Sequence, residues 1–167
     1  CIFCDQWSTT PAASVAGAEI VDDTIRRYLP HVRKTVKHIE LAFFGGSFTG
    51  IDTEVQESFL RRVHHHRESG AIHGIRLSTR PDYISDESLA LLERYGVTTV
   101  EMGVQSLDDP VLSAAHRGHT PAAVSAAVDC RKKHGFDFVI TLLLGLPRGP
   151  RESPLRPPPS PAPLPPT

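Results

Sequence analysis

Apolar and polar positions alternate along the first 147 residues with two different periods. Ile25, Tyr28, Leu29, Val32 and Val36 recur at helical spacing, with Pro30 placed to kink or end that helix. Residues 39–44 form a short apolar run that predicts a strand, closed by Gly45-Gly46-Ser47-Phe48-Thr49-Gly50. Thr53 and Gln56 have capping-box spacing ahead of a helix whose apolar face is Val55, Phe59, Leu60 and Val63. A strand near residues 75–79 follows, ending in Arg80-Pro81-Asp82. Ser85 is placed to cap a helix carrying Leu89, Leu91, Leu92 and Tyr95, and Gly96 occupies the position just past its end. After a strand over 97–105, Asp109-Pro110 and Thr120-Pro121 each read as an N-cap followed by a first-turn proline. Residues 136–144 are almost wholly apolar, which predicts a strand buried on both faces. Residues 5–19 are small and polar and read as a loop.

Strand and helix therefore alternate about four times at the spacing of βα units, which predicts a parallel sheet with right-handed crossovers. Within each strand the two faces differ. Val100, Met102 and Val104 share one face of the 97–105 strand, and Thr99, Glu101, Gly103 and Gln105 the other. Ile75, Leu77 and Thr79 likewise oppose Arg76, Ser78 and Arg80. One apolar face suits helices, and one polar face suits the lumen of a barrel that binds a polar ligand near the C-terminal ends of its strands. The alternative is that Glu101 and Arg76 simply pair with each other. The fold class expected is α/β, a partial parallel (βα) barrel with about four βα units.

Composition changes this picture mainly at the end. From Arg148 onward the chain holds nine of its fifteen prolines and almost no apolar bulk. Two regions are expected: a core over 1–147, and a disordered, polyproline-like tail over 148–167. The break is abrupt, as a frameshift or gene-model artefact would make it. Read as functional, the tail would be a proline-rich ligand, and the chain a non-catalytic scaffold docking partners through it. Net charge is −1; the tail carries three Arg and one Glu, so the rest carries −3, which is not a nucleic-acid-binding balance. No apolar run approaches the roughly 20 residues of a membrane span, so no membrane partner is expected. Cys1, Cys4 and Cys130 are too few for a disulfide framework and suit a reducing, cytoplasmic setting. Cys130 reads as a small buried hydrophobe, and His64-His65-His66 as a solvated helix face.

Cys1-Ile2-Phe3-Cys4 is the stretch with the most chemistry in it. Two thiols three positions apart suit half a zinc site, a redox pair, or part of an iron–sulfur motif. Gly45-Gly46-Ser47 lies at a strand's C-terminal end, where glycines let backbone amides approach a ligand.

Cys1-Ile2-Phe3-Cys4-Asp5-Gln6 resembles the end of the C-x3-C-x2-C motif of radical S-adenosylmethionine (SAM) enzymes. Phe43-Phe44-Gly45-Gly46-Ser47-Phe48-Thr49, Ser78-Thr79-Arg80-Pro81-Asp82, Glu101-Met102-Gly103-Val104-Gln105-Ser106, Arg117-Gly118-His119-Thr120 and Gly145-Leu146-Pro147 follow in the family's order. Together they resemble the branch that includes the elongator catalytic subunit and oxygen-independent coproporphyrinogen oxidase-like proteins. The resemblance covers residues 1 to about 147. It implies a partial barrel holding a 4Fe–4S cluster, to which SAM binds through its amino and carboxylate groups. Reductive cleavage of SAM would then yield a 5′-deoxyadenosyl radical for hydrogen abstraction. It implies Cys1 and Cys4 as cluster ligands, Gly45, Gly46 and Ser47 at the SAM amino group, and Ser78 and Gln105 at the ribose or methionine moiety. Arg117 would meet the SAM carboxylate and Gly145 the adenine; no residue is given a catalytic role. The partners implied are SAM, an electron donor and a substrate, either tRNA or a small molecule such as a porphyrinogen. The family's first cluster cysteine would lie four residues before Cys1, and further family elements would follow Pro147. The chain is therefore expected to be incomplete at both ends and not to assemble a stable cluster alone.

Overall fold

The computed structural model describes residues 1–4 and 17–149. Residues 5–16 of the expected 5–19 loop and the proline-rich stretch from 150 onward lie outside the described residues. Helix α1 (Ile20–Val32) leads into strand β1 (Glu40–Phe43) and a 3-10 turn (Phe48–Gly50). Helix α2 (Thr53–Glu68), strand β2 (Gly74–Thr79), a second 3-10 turn (Pro81–Tyr83) and helix α3 (Asp86–Arg94) follow. Strand β3 (Thr99–Gln105), helices α4 (Asp109–Ala114) and α5 (Pro121–Arg131), and strand β4 (Asp137–Leu142) complete the order. The strands form one sheet in the order β1-β2-β3-β4, every pairing parallel. The architecture is α/β, an arc of a parallel (βα) barrel, as the alternation of elements predicts.

The two-faced strands explain why the helices lie where they do. Ile75, Leu77 and Val100 are fully buried, and they pack with Leu60 and Val63 of α2 and Leu89 and Leu92 of α3. Met102 and Val104 join Val124 and Ala127 of α5 in a second cluster. Helices α1, α2, α3 and α5 turn apolar residues to this one face of the sheet, while Val111 and Ala115 of α4 pack on Leu146. Across α1 and α2 the chain adds polar ties. Asp22 accepts from Arg62, His66 Nε2 lies 2.7 Å from the Asp22 carboxylate, and Arg62 pairs with Glu19 at 3.2 Å. The hydrogen bond from His66, with help from Arg62 and against the cost of burial, holds the Asp22 carboxyl below its usual range.

Several local expectations need correction. Asp52, not Thr53, is the N-cap of α2, because its carboxylate reaches the Glu54 N–H at 2.9 Å. Gln56 turns back to the Ile51 carbonyl instead of closing a capping box. Likewise Asp108 caps α4 through the Val111 N–H, which places Pro110 one residue further into the helix. Ser85 and Thr120 cap as expected, and Ser85 forms a reciprocal box with Ser88. Pro30 sits in the last turn of α1, where the helix is about to end anyway. Tyr28 and Val36 are exposed, so the apolar face of α1 narrows to Val21 and Ile25, with Leu29 partly buried. His64 and His66 are half-buried and paired, His64 with the Tyr95 carbonyl at 2.9 Å; His65 alone fits a solvated face. The largest departure is β4. It is an edge strand, and Val139, Ile140 and Leu142 are exposed, because among the described residues no element covers its outer side.

Leu60→Ala, at a position with no exposed area, is expected to cost about 2–5 kcal/mol in urea unfolding. Tyr28→Ala on the same measurement should stay within about 0.5 kcal/mol. Equal losses would show that the buried face of α1 has been placed wrongly.

Candidate functional site

Because all four strands run parallel, their C-terminal ends line one edge of the sheet, and the chain reverses there in four loops. After β1 comes Phe44-Gly45-Gly46-Ser47. Gly45 has φ +106°, a conformation side chains avoid, and nothing lies within 4 Å of where a Cβ on Gly46 would stand. This turn is tied to the end of β2: the Ser78 hydroxyl donates to the Gly46 carbonyl at 3.0 Å, and the Thr49 and Thr79 hydroxyls are hydrogen-bonded. Ser47 is half-buried and opens the 3-10 turn without capping it.

The end of β3 is irregular. Pairing with β4 slips between Gly103 and Gln105, and Gln105 takes φ +70°. Arg117 grips this point. Its Nη2 donates to the Gly103 carbonyl, and its Nη1 lies 3.3 Å from Cys1 Sγ. The local chain explains how it gets there. Past α4, the Arg117 N–H bonds to the Leu112 carbonyl, and residues with positive φ, His116 and Gly118, flank it. The same helix end receives the thiol segment, since the Ile2 N–H donates to the Ala115 carbonyl at 3.2 Å. Gly103 leaves the room needed: a Cβ there would stand 3.0 Å from both Arg117 Nη2 and Gln105 Nε2.

Arg117 is 8% exposed. Burial, then the neighbouring Arg80, lowers its pKa from the usual arginine value, while Asp82 and Cys4 act in the opposite direction. It remains a cation, as guanidinium does in proteins. Arg80 is held by Asp82 through two hydrogen bonds of 2.9 and 2.7 Å. Cys1 and Cys4 are exposed, and neither forms a disulfide. Arg117 Nε and His119 Nδ1 are buried polar atoms with no hydrogen-bond partner among the described residues. Gly145, with φ +74° and open space at its Cβ position, lies beyond β4. It is linked back through the Leu143 N–H, which donates to the Gln105 carbonyl at 3.0 Å, and through Leu146, which packs on Val111 and Ala115.

The expected residues thus fall into two tied sets. Gly45, Gly46, Ser47 and Ser78 gather at the ends of β1 and β2; Cys1, Gln105 and Arg117 gather at the end of β3. Gly145 joins the second set through the backbone only. Cys130 stands apart on α5, packed against the main core, where burial and then Asp86 raise its thiol pKa. Among the described residues no group of three or more His, Cys, Asp or Glu side chains could hold a metal ion. No described helix is long and apolar enough to cross a membrane.

Lower on the same polar face lies the charged row left open by the sequence. Arg76 bonds Glu40 at 2.9 Å and Glu101 at 2.8 Å, so the pairing of Arg76 with Glu101 is real and has a second carboxylate. Burial pushes Glu40 up, but hydrogen bonds from Arg76 and His38 outweigh it and leave its carboxyl below the usual range. Residue-by-residue reading missed Glu40, Gly103 and His119. The last two stand inside motifs that carried the resemblance, and Glu40 carried no sequence signal beyond its place at a strand start.

Comparison with known proteins gives the chain's family and fold. The family described as Radical SAM superfamily matches residues 1–153. Elongator complex protein 3 of Schizosaccharomyces pombe is 29% identical over 130 residues, 68% of this chain and 24% of its own length. The chain spans about a quarter of the length of the curated relatives it matches. Among solved structures, Methanocaldococcus infernus Elp3 with an N-terminal deletion superposes with a TM-score of 0.67 at 24% identity, covering 81% of this chain and 38% of that one. Coproporphyrinogen III oxidase of Escherichia coli superposes with a TM-score of 0.57 at 20% identity, covering 89% and 35%. These likenesses are of fold.

Arg76→Met leaves two partly buried carboxylates facing each other. It should cost about 1–3 kcal/mol, below the penalty for a fully buried pair because both partners reach solvent. Glu40 has a depressed pKa, so its contribution is complete above the ordinary glutamate value of 4.5 and is lost as pH falls below it. The urea midpoint of Glu40→Gln should therefore fall less than that of the parent between about pH 5 and pH 3. Parallel pH profiles would remove the row from the fold's acid sensitivity.

Proposed function

The chain belongs to the radical SAM superfamily, and from that premise we propose that its strand ends form the cluster- and SAM-binding part of an enzyme that cleaves SAM reductively. The observation that carries this reading is the contact between the buried Arg117 guanidinium and the Cys1 thiol, 3.3 Å apart, on a segment docked to the end of α4. The residues fit the groups the family uses. Cys1 and Cys4 are accessible thiols near the buried Arg117 guanidinium, which lies 3.3 Å from Cys1 Sγ. Nothing lies within 4 Å of the Cβ position of Gly46, and Arg117 Nε is buried with hydrogen-bonding capacity to spare.

In the family, a 4Fe–4S cluster and SAM supply a 5′-deoxyadenosyl radical once an external donor provides an electron. This chain's residues hold and orient. Cys1 and Cys4 contribute two thiolates. Arg117 offers a guanidinium to the SAM carboxylate while its other edge stays on Gly103. Gly45, Gly46 and Ser47 present backbone to the SAM amino group. Ser78 and Gln105 approach the ribose or methionine portion, and Gly145 leaves space for adenine. Ser78 already donates to Gly46, so its first role is to shape the amino-group turn. Residues 1–147 act as the core, with 148–167 as a separate tail, in a reducing compartment such as the cytoplasm. The substrate class is tRNA or a small molecule such as a porphyrinogen, met on the polar face of the sheet.

Anaerobic reconstitution with iron and sulfide tests this. The chain alone should hold iron loosely, losing it to a chelator, and Cys1→Ser or Cys4→Ser should abolish most of that uptake while Cys130→Ser leaves it unchanged. Iron uptake indifferent to Cys1 and Cys4 would overturn the proposal. A tightly held stoichiometric four-iron cluster would overturn the expectation that two thiolates are insufficient.

A further inference from the structure

His119 is 5% exposed, and the roles set out above give it no ligand to bind. Its Nε2 lies 3.1 Å from the Val104 carbonyl. A carbonyl can only accept, so Nε2 carries the proton and Nδ1 is a bare acceptor, buried without a partner among the described residues. Burial, with Arg117 next, lowers the His119 pKa, which keeps the ring neutral. A buried ring with an unmet acceptor disfavours folding, and a leucine of similar bulk would not incur that penalty. Something must offset that cost.

The Val104 carbonyl supplies the reason. It also accepts from the Ser106 N–H at 2.9 Å, across a Gln105 whose φ is +70°. A three-residue turn closed from i to i+2 with a positive φ at its centre is the rare, strained form of the γ-turn. Such strain persists only where neighbours over-determine it. Here they do. Arg117 takes the Gly103 carbonyl, His119 the Val104 carbonyl, and the Leu143 N–H the Gln105 carbonyl. Gly118, at φ +85°, spaces Arg117 and His119 so that they hold consecutive carbonyls of β3. The result fixes where the Gln105 side chain begins.

We propose that His119 is a positioning residue: its Nε2–H, given to the Val104 carbonyl, locks the strained turn that presents Gln105 to SAM. This rests on the reading that Gln105 contacts SAM, and it extends that reading to a residue that touches no ligand. Arg117 serves the site directly; His119 serves it through the backbone.

Three variants of the reconstituted protein separate the outcomes: His119→Leu keeps the bulk and removes the donor, His119→Gln keeps a donor at similar reach, and His119→Leu with Gln105→Gly relieves the positive-φ strain. Hydrogen exchange of the Ser106 amide, read by NMR, should rise about tenfold in His119→Leu and stay near the parent in His119→Gln. Equilibrium dialysis should show SAM affinity falling about three- to tenfold in His119→Leu and recovering in His119→Gln. If His119→Leu fails to fold, the double variant should restore folding, because glycine accepts the turn at no steric cost; a double variant that also fails overturns the proposal. Unchanged Ser106 exchange in a protein that binds SAM overturns the role of His119 alone. SAM affinity left unchanged by Gln105→Ala overturns the site reading on which it rests, while loss of SAM binding through loosely held iron leaves Ser106 exchange to decide the role of His119.

Discussion

The buried guanidinium of Arg117 is the constraint around which the site is arranged. A cation removed from water must be compensated by acceptors or by negative charge. Arg117 finds the Gly103 carbonyl on β3 and the Cys1 sulfur on the N-terminal segment. Satisfying one charge therefore joins residues more than a hundred positions apart in sequence. It also dictates its neighbours: glycine at 103 for room, positive φ at His116 and Gly118 to turn the chain, and the end of α4 as a dock for Ile2.

The fold was legible because each strand has unlike faces. Val100, Met102 and Val104 against Glu101, Gly103 and Gln105 announces a sheet with helices on one side only, and the burial follows that alternation residue by residue. Where sequence reading erred, a local rule met a stronger competitor. Asp52 and Asp108 outcompete the residues that follow them as caps because a carboxylate one position earlier already reaches the first free N–H groups. An apolar run such as 136–144 reports that burial is available to a strand, not which neighbours provide it, so β4 reads as buried on both faces and lies exposed at an edge.

The sequence can name the residues of the candidate site but not their geometry. Glycine pairs and an Arg-Gly-His run are visible in a sequence; the bond from Ser78 to Gly46 and the positive φ at Gln105 are not, because each depends on register between separate strands. Gln105 is the clearest case. Glycine is the ordinary occupant of such a turn, so a glutamine there gives no sequence signal of the conformation it holds. Only the surrounding donors reveal it.

Two arginines show how the upper edge of the polar face differs from its lower part. Arg76 is bonded to Glu40 and to Glu101, so its charge is answered within the protein and the lower part of that face is closed electrostatically. Arg117, more deeply buried, has a backbone carbonyl and a sulfur as partners and its buried Nε–H unmet among the described residues, with no bonded carboxylate. A fold that can answer one arginine with two glutamates can answer another. That it does not do so at the strand ends, beside two accessible thiols, leaves a positive charge there with no bonded carboxylate. A carboxylate-bearing ligand set against a thiolate-held centre is the chemistry that such an unbalanced charge suits.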